Sequence, residues 1–256
     1  LPNGIPAQQS HTEFRKEYGI SSDAFLILHI ANLYPVKNHL GLLDVFASVP
    51  QGAKLVLVGH LTDNAKYVAQ VRRVLASRSE VLYIPGLSSE GVAAAMRAAD
   101  VLVVPSHAEA SPLCILEAMS HRLPWMATPE CDAAHEQAGG VVIPLVDFPR
   151  AVKLLMREPA LRRTLGETGY AHWEACRQWS AVLEGWIELI KTGRLTRSYM
   201  MPPDLVERTT AQRQAFATQL GRAEPEFGGM TSVGSKPSIC DVAKQTYGGG
   251  MSSEAF

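Results

Sequence analysis

The segment VLVVPSHAEASPLCILEAM, residues 101–119, decides the fold. It begins with an apolar run of strand length and continues into a polar loop that carries Glu109. Pro112 then precedes an apolar run of helical character that carries Glu117, eight positions after Glu109. Proline suits the first turn of a helix because its missing N–H would have no partner within the helix. The segment therefore predicts a strand, a loop and a helix that bring two carboxylates to one site.

The loop amides at residues 110–113 are expected at the start of this helix, where its partial positive charge favours an anion such as phosphate. A carboxylate accepts hydrogen bonds from hydroxyl groups. Two carboxylates beside an anion site suggest a ligand that is both phosphorylated and rich in hydroxyls, such as a sugar nucleotide. We therefore expect Ser111, Pro112 and Leu113 to contact the ligand together with Glu109 and Glu117.

Apolar runs of strand length alternate with helical patterns along most of the chain. Strands are predicted at residues 25–31, 54–58, 81–84, 101–104, 123–127 and 141–143. Helices are predicted at 40–49, 64–77, 88–99, 150–156, 160–175 and 180–191, besides the helix that begins at Pro112 and carries Glu117. Apolar strands separated by helices predict an α/β fold with a Rossmann-like parallel sheet covered on both faces. Ligands bind outside the carboxyl ends of such strands. Gly59 follows the second strand and is predicted to let the ligand approach, whereas Gly86 is left undecided between a turn and a ligand contact.

The segment 101–119 and five blocks that follow one another in order along the chain resemble retaining glycosyltransferases of the GT-B architecture, especially the large group of family four. The blocks are Leu1-Pro2-Asn3-Gly4-Ile5-Pro6, the run from His29 to His39, Val56-Leu57-Val58-Gly59, Arg97-Ala98-Ala99-Asp100 and Glu117-Ala118-Met119. The likeness covers residues 1–190 and implies the donor-binding, C-terminal half of a GT-B fold. A single pair of glutamates would be weak support, but ordered blocks make the match specific.

The resemblance also implies roles for residues. Glu117 would accept hydrogen bonds from the ribose hydroxyls of the donor, and Lys37 would contact its diphosphate, where negative charge accumulates as the leaving group departs. Glu109 would lie beside the transferred sugar, either stabilising positive charge at the anomeric carbon or only positioning the sugar. On this basis Glu109 and Lys37 are predicted catalytic residues, and Glu117 and Asn32 predicted donor-binding residues.

Two positions depart from the family pattern. Asn32 stands where the family usually has Arg, and an amide cannot give a phosphate the charged, bidentate contact of a guanidinium. Arg122 stands where the family has Gly, which would strain the backbone if a left-handed turn is needed there. These departures keep open a second reading, a non-catalytic nucleotide-binding or scaffold protein of the same fold. A Rossmann-type oxidoreductase is disfavoured, because no G-x-G-x-x-G motif follows the first strand.

Composition narrows the classes of partner. The chain has 256 residues with a formal net charge of −1, so neither nucleic acid nor an anionic membrane surface is an expected partner. No apolar run is long enough to span a membrane. The four cysteines are scattered, as in a reducing compartment, so we expect a cytoplasmic protein, either free or at the cytoplasmic face of a membrane. No metal site and no cofactor are predicted; the expected donor is a substrate.

The domain boundaries predicted from these patterns are residues 1–22 for a hinge, 23–192 for the nucleotide-sugar-binding domain and 193–256 for a C-terminal extension. A short helix is predicted at 209–220, and residues 225–256 are predicted to be largely disordered, because a segment so rich in Gly, Ser and Met cannot bury enough apolar area to offset its ordering entropy. The predicted function is transfer of a sugar, with retention of configuration, from a nucleotide-diphosphate sugar to an unidentified acceptor. This chain alone is expected to be inactive without an N-terminal acceptor domain, on the same gene product or a partner chain.

Overall fold

The structure, a computed structural model, describes residues 3–6, 13–48, 50–194 and 200–221. In this part of the chain the strands are β1 Phe25–Ile30, β2 Ala53–Val58, β3 Val81–Ile84, β4 Val101–Val104, β5 Trp125–Ala127 and β6 Gly140–Val142. The helices are α1 Phe14–Glu17, α2 His39–Phe46, α3 Ala65–Leu75, α4 Ser89–Ala98, α5 Leu113–Ser120, α6 Phe148–Arg157, α7 Pro159–Cys176, α8 Trp179–Thr192 and α9 Pro203–Gln219.

The strands form a parallel sheet in the order β3-β2-β1-β4-β5-β6. The predicted α/β fold is therefore confirmed. Strands β2 and β3 lie on one side of β1, whereas β4, β5 and β6 lie on its other side, so the strand order reverses between β1 and β4. Open α/β sheets bind ligands in the crevice at such a switch point. The loops that follow β1 and β4 are those of Lys37 and Glu109.

Both faces of the sheet are buried, as the near-continuous apolar strands predict. Alternate residues of a strand point to opposite faces, so Leu26 and Leu28 of β1 pack in one apolar cluster, with Trp173 of α7. Ile27, between them, packs in the other cluster with Phe46 and Val152. The central strands are thus enclosed on both sides, and their carboxyl ends form the edge on which a site can be built.

The extension differs from the prediction where it is described. Its helix begins at Pro203, six positions before the predicted Thr209, and runs to Gln219. Two consecutive prolines can break a chain, but proline is also well suited to the first position of a helix, and Pro203 occupies that position here. Phe216 and Leu220 bury their side chains in the cluster of Ile27. Residues 225–256, predicted to bury little apolar area, lie outside the described residues, and the domain boundaries remain predictions.

Candidate active site

Lys37 and Glu109 form an ion pair at the switch point of the sheet. Lys37 ends a short 3₁₀ turn after β1, and Glu109 lies in the loop after β4. Lys37 Nζ is 2.5 Å from Glu109 Oε1, and the Ser106 hydroxyl donates to the same oxygen at 3.0 Å. The side chains are 25% and 14% exposed, so the pair is partly shielded from water. The structure therefore brings the two predicted catalytic residues together.

The loop that carries Lys37 is held by its neighbour Asn38. Asn38 has a left-handed backbone (φ 55°), and its side chain accepts a hydrogen bond from the Gly41 amide at the start of α2. The side-chain nitrogen of Asn38 donates to Pro105 O at 3.1 Å, and the backbone amide of His107 donates to Val36 O at 2.8 Å. Asparagine tolerates the left-handed region and caps helices well. These contacts fix the loops of Lys37 and Glu109 against each other.

Two buried histidines lie beneath the Lys37 loop. His29 Nδ1 is 2.9 Å from Val103 O, and His39 Nε2 is 3.3 Å from Ala31 O. Their rings are in edge contact, with centroids 4.8 Å apart. Burial lowers the pKa of His29 to about 3 and that of His39 to about 4, and the nearby Lys37 charge adds to both shifts. Both imidazoles are therefore neutral near pH 7 and act as packing and hydrogen-bonding groups.

Glu117 lies on α5, one turn after the helix begins, and is half-buried. Burial raises the pKa of its carboxyl group. Among the described residues no hydrogen bond or ion pair reaches this carboxylate. A desolvated acid without a partner is costly, because its charged form has lost water and gained nothing in return. Such a group is suited to accept hydrogen bonds from a ligand.

The thiol of Cys114 shows that the three predicted charged residues share one region. Burial raises its pKa; the charges of Glu117 and Glu109 raise it further, and that of Lys37 lowers it. All three side chains therefore lie within electrostatic range of one sulfur atom. The predicted convergence of Lys37, Glu109 and Glu117 at one edge of the sheet agrees with this arrangement.

The start of α5 lies beside the loop of Glu109. Pro112 is buried and occupies the position before the first helical residue, whereas Ser111 and Leu113 are exposed. The first amides of a helix have no partner within it. The Ser111 hydroxyl accepts a hydrogen bond from the Asn3 side chain at 3.0 Å, so the predicted hinge reaches the predicted donor loop. Contact of these three residues with a ligand remains a prediction.

Asn32 and Gly59 have structural roles that sequence spacing did not indicate. The Asn32 side-chain oxygen accepts a hydrogen bond from the His60 amide at 3.0 Å, which joins the loops after β1 and β2. A Cβ atom on Gly59 would lie 1.9 Å from Ala31 O, closer than real atoms approach. Glycine is thus required by close packing of two backbone segments. Contact of either residue with a donor stays a prediction.

Gly86 and Arg122 both have backbones in the left-handed region. Gly86 has a φ of +98°, which makes it a turn glycine, with the His60 ring directly beside it. Arg122 has a φ of 55°, so the left-handed turn for which the family has Gly is present here. The Arg122 guanidinium lies 3.6 Å from the Tyr170 ring and 3.1 Å from a Glu167 oxygen. These contacts hold the Arg122 side chain against α7.

Sequence reasoning missed Ser106, Asn3 and His29 as parts of the site. Ser106 had a signal, because it ends the strand before Glu109, and strand ends form this edge. Contacts of Asn3 with Ser111 and of His29 with Val103 join distant positions, which no local spacing indicates. Among the described residues no group of three or more acidic, cysteine or histidine side chains could hold a metal ion, and no helix is long and apolar enough to cross a membrane.

Comparison with known proteins identifies the class. The sequence model of the glycosyl transferases group 1 family matches residues 10–172. N-acetyl-alpha-D-glucosaminyl L-malate synthase of Bacillus anthracis is 31% identical over 121 residues, which are 46% of this chain and 30% of that protein. The curated relatives that match are longer than this chain, which covers 30% to 43% of their length.

Solved structures share the fold. HepE of Anabaena, solved in complex with UDP and glucose, superposes with a TM-score of 0.66 at 17% identity, over 74% of this chain and 55% of HepE. The C-terminal domain of LpcC, a glycosyl transferase group 1 family protein from Francisella tularensis, gives a TM-score of 0.55 at 15% identity, over 71% of this chain and 95% of that domain. The parallel sheet and its carboxyl edge thus define a Rossmann-like domain of the GT-B type. The chain belongs to the glycosyl transferases group 1 family.

Proposed function

We propose that this chain is the donor-binding half of a retaining glycosyltransferase that uses a nucleotide-diphosphate sugar. The observation that carries the proposal is the half-buried Glu117 carboxylate, which has no partner among the described residues and which acts, like the charges of Lys37 and Glu109, on the thiol of Cys114. A carboxylate can accept hydrogen bonds from both hydroxyls of a ribose. Such bonds would lower the raised pKa of Glu117, because they stabilise its charged form.

The Lys37–Glu109 pair suits the reacting end of the donor. An ammonium has three donors, so Lys37 can keep its bond to Glu109 and still contact a diphosphate oxygen. As the sugar departs, negative charge grows on the diphosphate and positive charge on the anomeric carbon. Lys37 would stabilise the negative charge on the diphosphate. Glu109 would either stabilise the positive charge at the anomeric carbon or position the sugar. HepE, which shares the fold, was solved with UDP and glucose, which makes UDP the first donor nucleotide to test.

A calorimetric titration with UDP tests the donor site on this chain alone. Glu117→Gln removes the charge and keeps the shape, and we expect about a tenfold to hundredfold loss of affinity, since hydrogen bonds to charged groups are worth about 1.5–3 kcal/mol. Glu174→Gln is the matched control, because Glu174 is an exposed acid on α7. Equal UDP affinity in the parent chain and both variants contradicts the proposal, and so does a parent that binds none of UDP, GDP and ADP.

The acceptor half is proposed to dock on α8. This helix leaves an apolar stripe exposed, made of Trp179, Leu183, Trp186, Ile187 and Ile190, while Val182, on the adjoining face, is buried. The hinge residue Ile5 is hydrogen-bonded to Arg177 and Trp179 at the start of the same helix. An N-terminal domain connected through this hinge would therefore lie next to the stripe. We expect the chain alone to transfer no sugar, because the acceptor site would lie between the two domains.

Substitution of Ile190 by Ser tests this docking. In a two-domain protein the change should lower the melting temperature, because a side chain packed between the domains is lost. In this chain alone the same change should have little effect, because the side chain is 79% exposed. An equal effect in the two proteins argues against a domain docked on α8.

Asn32 favours a second candidate, a non-catalytic nucleotide-binding or scaffold protein. Its side-chain oxygen is engaged by His60, and it brings no positive charge to the place where the family usually has Arg. In that case the site would bind a nucleotide weakly and turn over no donor. Absence of both transfer and donor hydrolysis in a two-domain protein that binds UDP would favour this candidate.

A further inference from the structure

Arg213 of α9 is hydrogen-bonded to the segment between β5 and β6. It lies beyond residues 10–172, which the family shares. Its Nε donates to Gly140 O at 3.1 Å and its Nη1 to His135 O at 3.0 Å. Its Nη2 donates to Ala134 O at 3.1 Å and to Gln137 O at 2.7 Å. Four of the five N–H groups of this guanidinium therefore bind backbone carbonyls of one short segment.

This arrangement is specific to arginine. Burial lowers the pKa of Arg213 to about 10, which leaves it charged near pH 7. The carbonyls that it binds surround one planar group, and the Trp125 ring lies 5.8 Å from its central carbon. A lysine has a point charge and cannot span four carbonyls arranged around a plane. The contact therefore fixes the shape of the segment as well as its position.

The same segment supports the loop of Glu109. Cys131 pairs with Glu109 as a β-bridge, and the Glu109 amide donates to Glu130 O at 3.4 Å. The Thr128 hydroxyl donates to Ser106 O at 2.6 Å, and Ser106 in turn donates to the Glu109 carboxylate. Residues 128–140 thus lie between α9 on one side and the Glu109 loop on the other.

We propose that Arg213 is a positioning residue for the candidate active site. By binding the carbonyls of residues 134–140, it holds the segment on which the backbone of Glu109 and the hydroxyl of Ser106 depend. The donor site then relies on a helix outside the part of the chain that the family shares. The consequence for turnover rests on the proposed function, whereas the coupling between α9 and the Glu109 loop can be measured without any donor.

Hydrogen exchange of the chain without ligand tests the coupling. In Arg213→Gln the amides of residues 131–138 and of Glu109 should exchange about tenfold faster, because their acceptors are no longer fixed. The Ala31 amide, bonded to Val58 O between central strands, should keep its rate. Arg208→Gln is the matched control, because Arg208 lies on the same helix and makes only an exposed contact with Asp204. An unchanged rate at Glu109 overturns the proposal, and so does equal acceleration along the whole chain.

If Arg213→Gln does not fold, the variant Arg213→Lys tests the same coupling. It keeps the charge but not the planar group, so it should accelerate exchange at Glu109 less than Arg213→Gln, but measurably. In a two-domain enzyme the same variant should lower kcat about tenfold with little change in KM for the donor, because a misplaced Glu109 affects the reacting centre. Unchanged kcat in Arg213→Lys overturns the positioning role. If the coupling is measured but the parent chain binds no nucleotide, the proposed function fails and the coupling stands.

Discussion

Glu109 and Glu117 lie at the same edge of the sheet, but the carboxylate of Glu109 has partners within the protein and that of Glu117 has none among the described residues. Glu109 is bonded to Lys37 and Ser106 and pairs through its backbone with Cys131. Glu117 has a raised pKa and no partner among the described residues. An acid that is held before a ligand arrives is suited to positioning or to charge stabilisation at a reacting centre. An acid that is desolvated and unpaired is suited to binding. The difference predicts that substitutions at the two positions affect different kinetic constants.

The largest effect is expected for Glu109→Gln in a two-domain protein. Loss of the charge should lower turnover by about 10²–10³, which is typical when one preorganised electrostatic contact to a transition state is removed. Affinity for UDP should change by less than about threefold. Steady-state kinetics with a donor that the parent uses, together with calorimetry, measure both. Turnover within threefold of the parent would show that the Lys37–Glu109 pair is structural only.

A smaller and pH-dependent effect is expected at Glu117. An ionised carboxylate accepts hydrogen bonds from ribose hydroxyls more strongly than a protonated one, so UDP affinity should fall as pH is lowered through the raised pKa of Glu117. Glu117→Gln should reduce this fall to the part that comes from titration of the UDP phosphate itself, whereas Glu174→Gln should keep the fall seen in the parent. Calorimetry between about pH 7.5 and 5 measures it. Parallel pH profiles for the parent and Glu117→Gln would place the ribose elsewhere.

Burial of the neutral His39 ring beside the Lys37 loop predicts a pH-dependent contribution to the free energy of unfolding. Its folded pKa, about 4, lies below the ordinary value, so the unfolded chain takes up its proton first. This contribution to stability is complete above about pH 6.5 and is lost as pH falls toward 4, at up to about 1.4 kcal/mol per pH unit. His39→Gln keeps a donor for Ala31 O but does not titrate. Urea unfolding at about pH 7 and 5 should show a loss in free energy that is about 1–2 kcal/mol smaller in the variant.

The smallest effect is expected for Asn32→Arg. The new guanidinium could reach a phosphate, but the hydrogen bond to His60 would be lost, so UDP affinity should change by less than about threefold. Calorimetry measures it, with Asn32→Gln as the uncharged control. A gain of more than about thirtyfold with Arg, absent with Gln, would indicate a degenerate site and favour the non-catalytic candidate.

Much of the fold could be predicted from local pattern. Short stretches of sequence indicate an apolar strand such as β4, or a helix that begins at a proline, such as α5. The order of strands and helices along the chain follows from these local patterns. The placement of Lys37 and Glu109 at one edge followed from parallel strands ending together. The tertiary reasons for single residues could not be predicted. The closeness of Gly59 to Ala31 O depends on how two loops pack, and no spacing in sequence encodes it.

The same limit applies to the helix α9. Its prolines can break a chain or begin a helix, and only the apolar surface that receives Phe216 decides between the two. The hydrogen bonds of Arg213 span more than seventy positions, so a lone arginine in a polar stretch gave no indication of them. A left-handed backbone at Arg122 could be inferred only from the family pattern, and the structure confirms it.

The raised pKa of Cys114 has a consequence for the durability of the site. A thiolate reacts with peroxides and alkylating agents, whereas a protonated thiol is nearly inert. Burial and the two neighbouring carboxylates keep this sulfur protonated. The carboxylates proposed to contact the sugar donor thereby also disfavour formation of the reactive thiolate at Cys114.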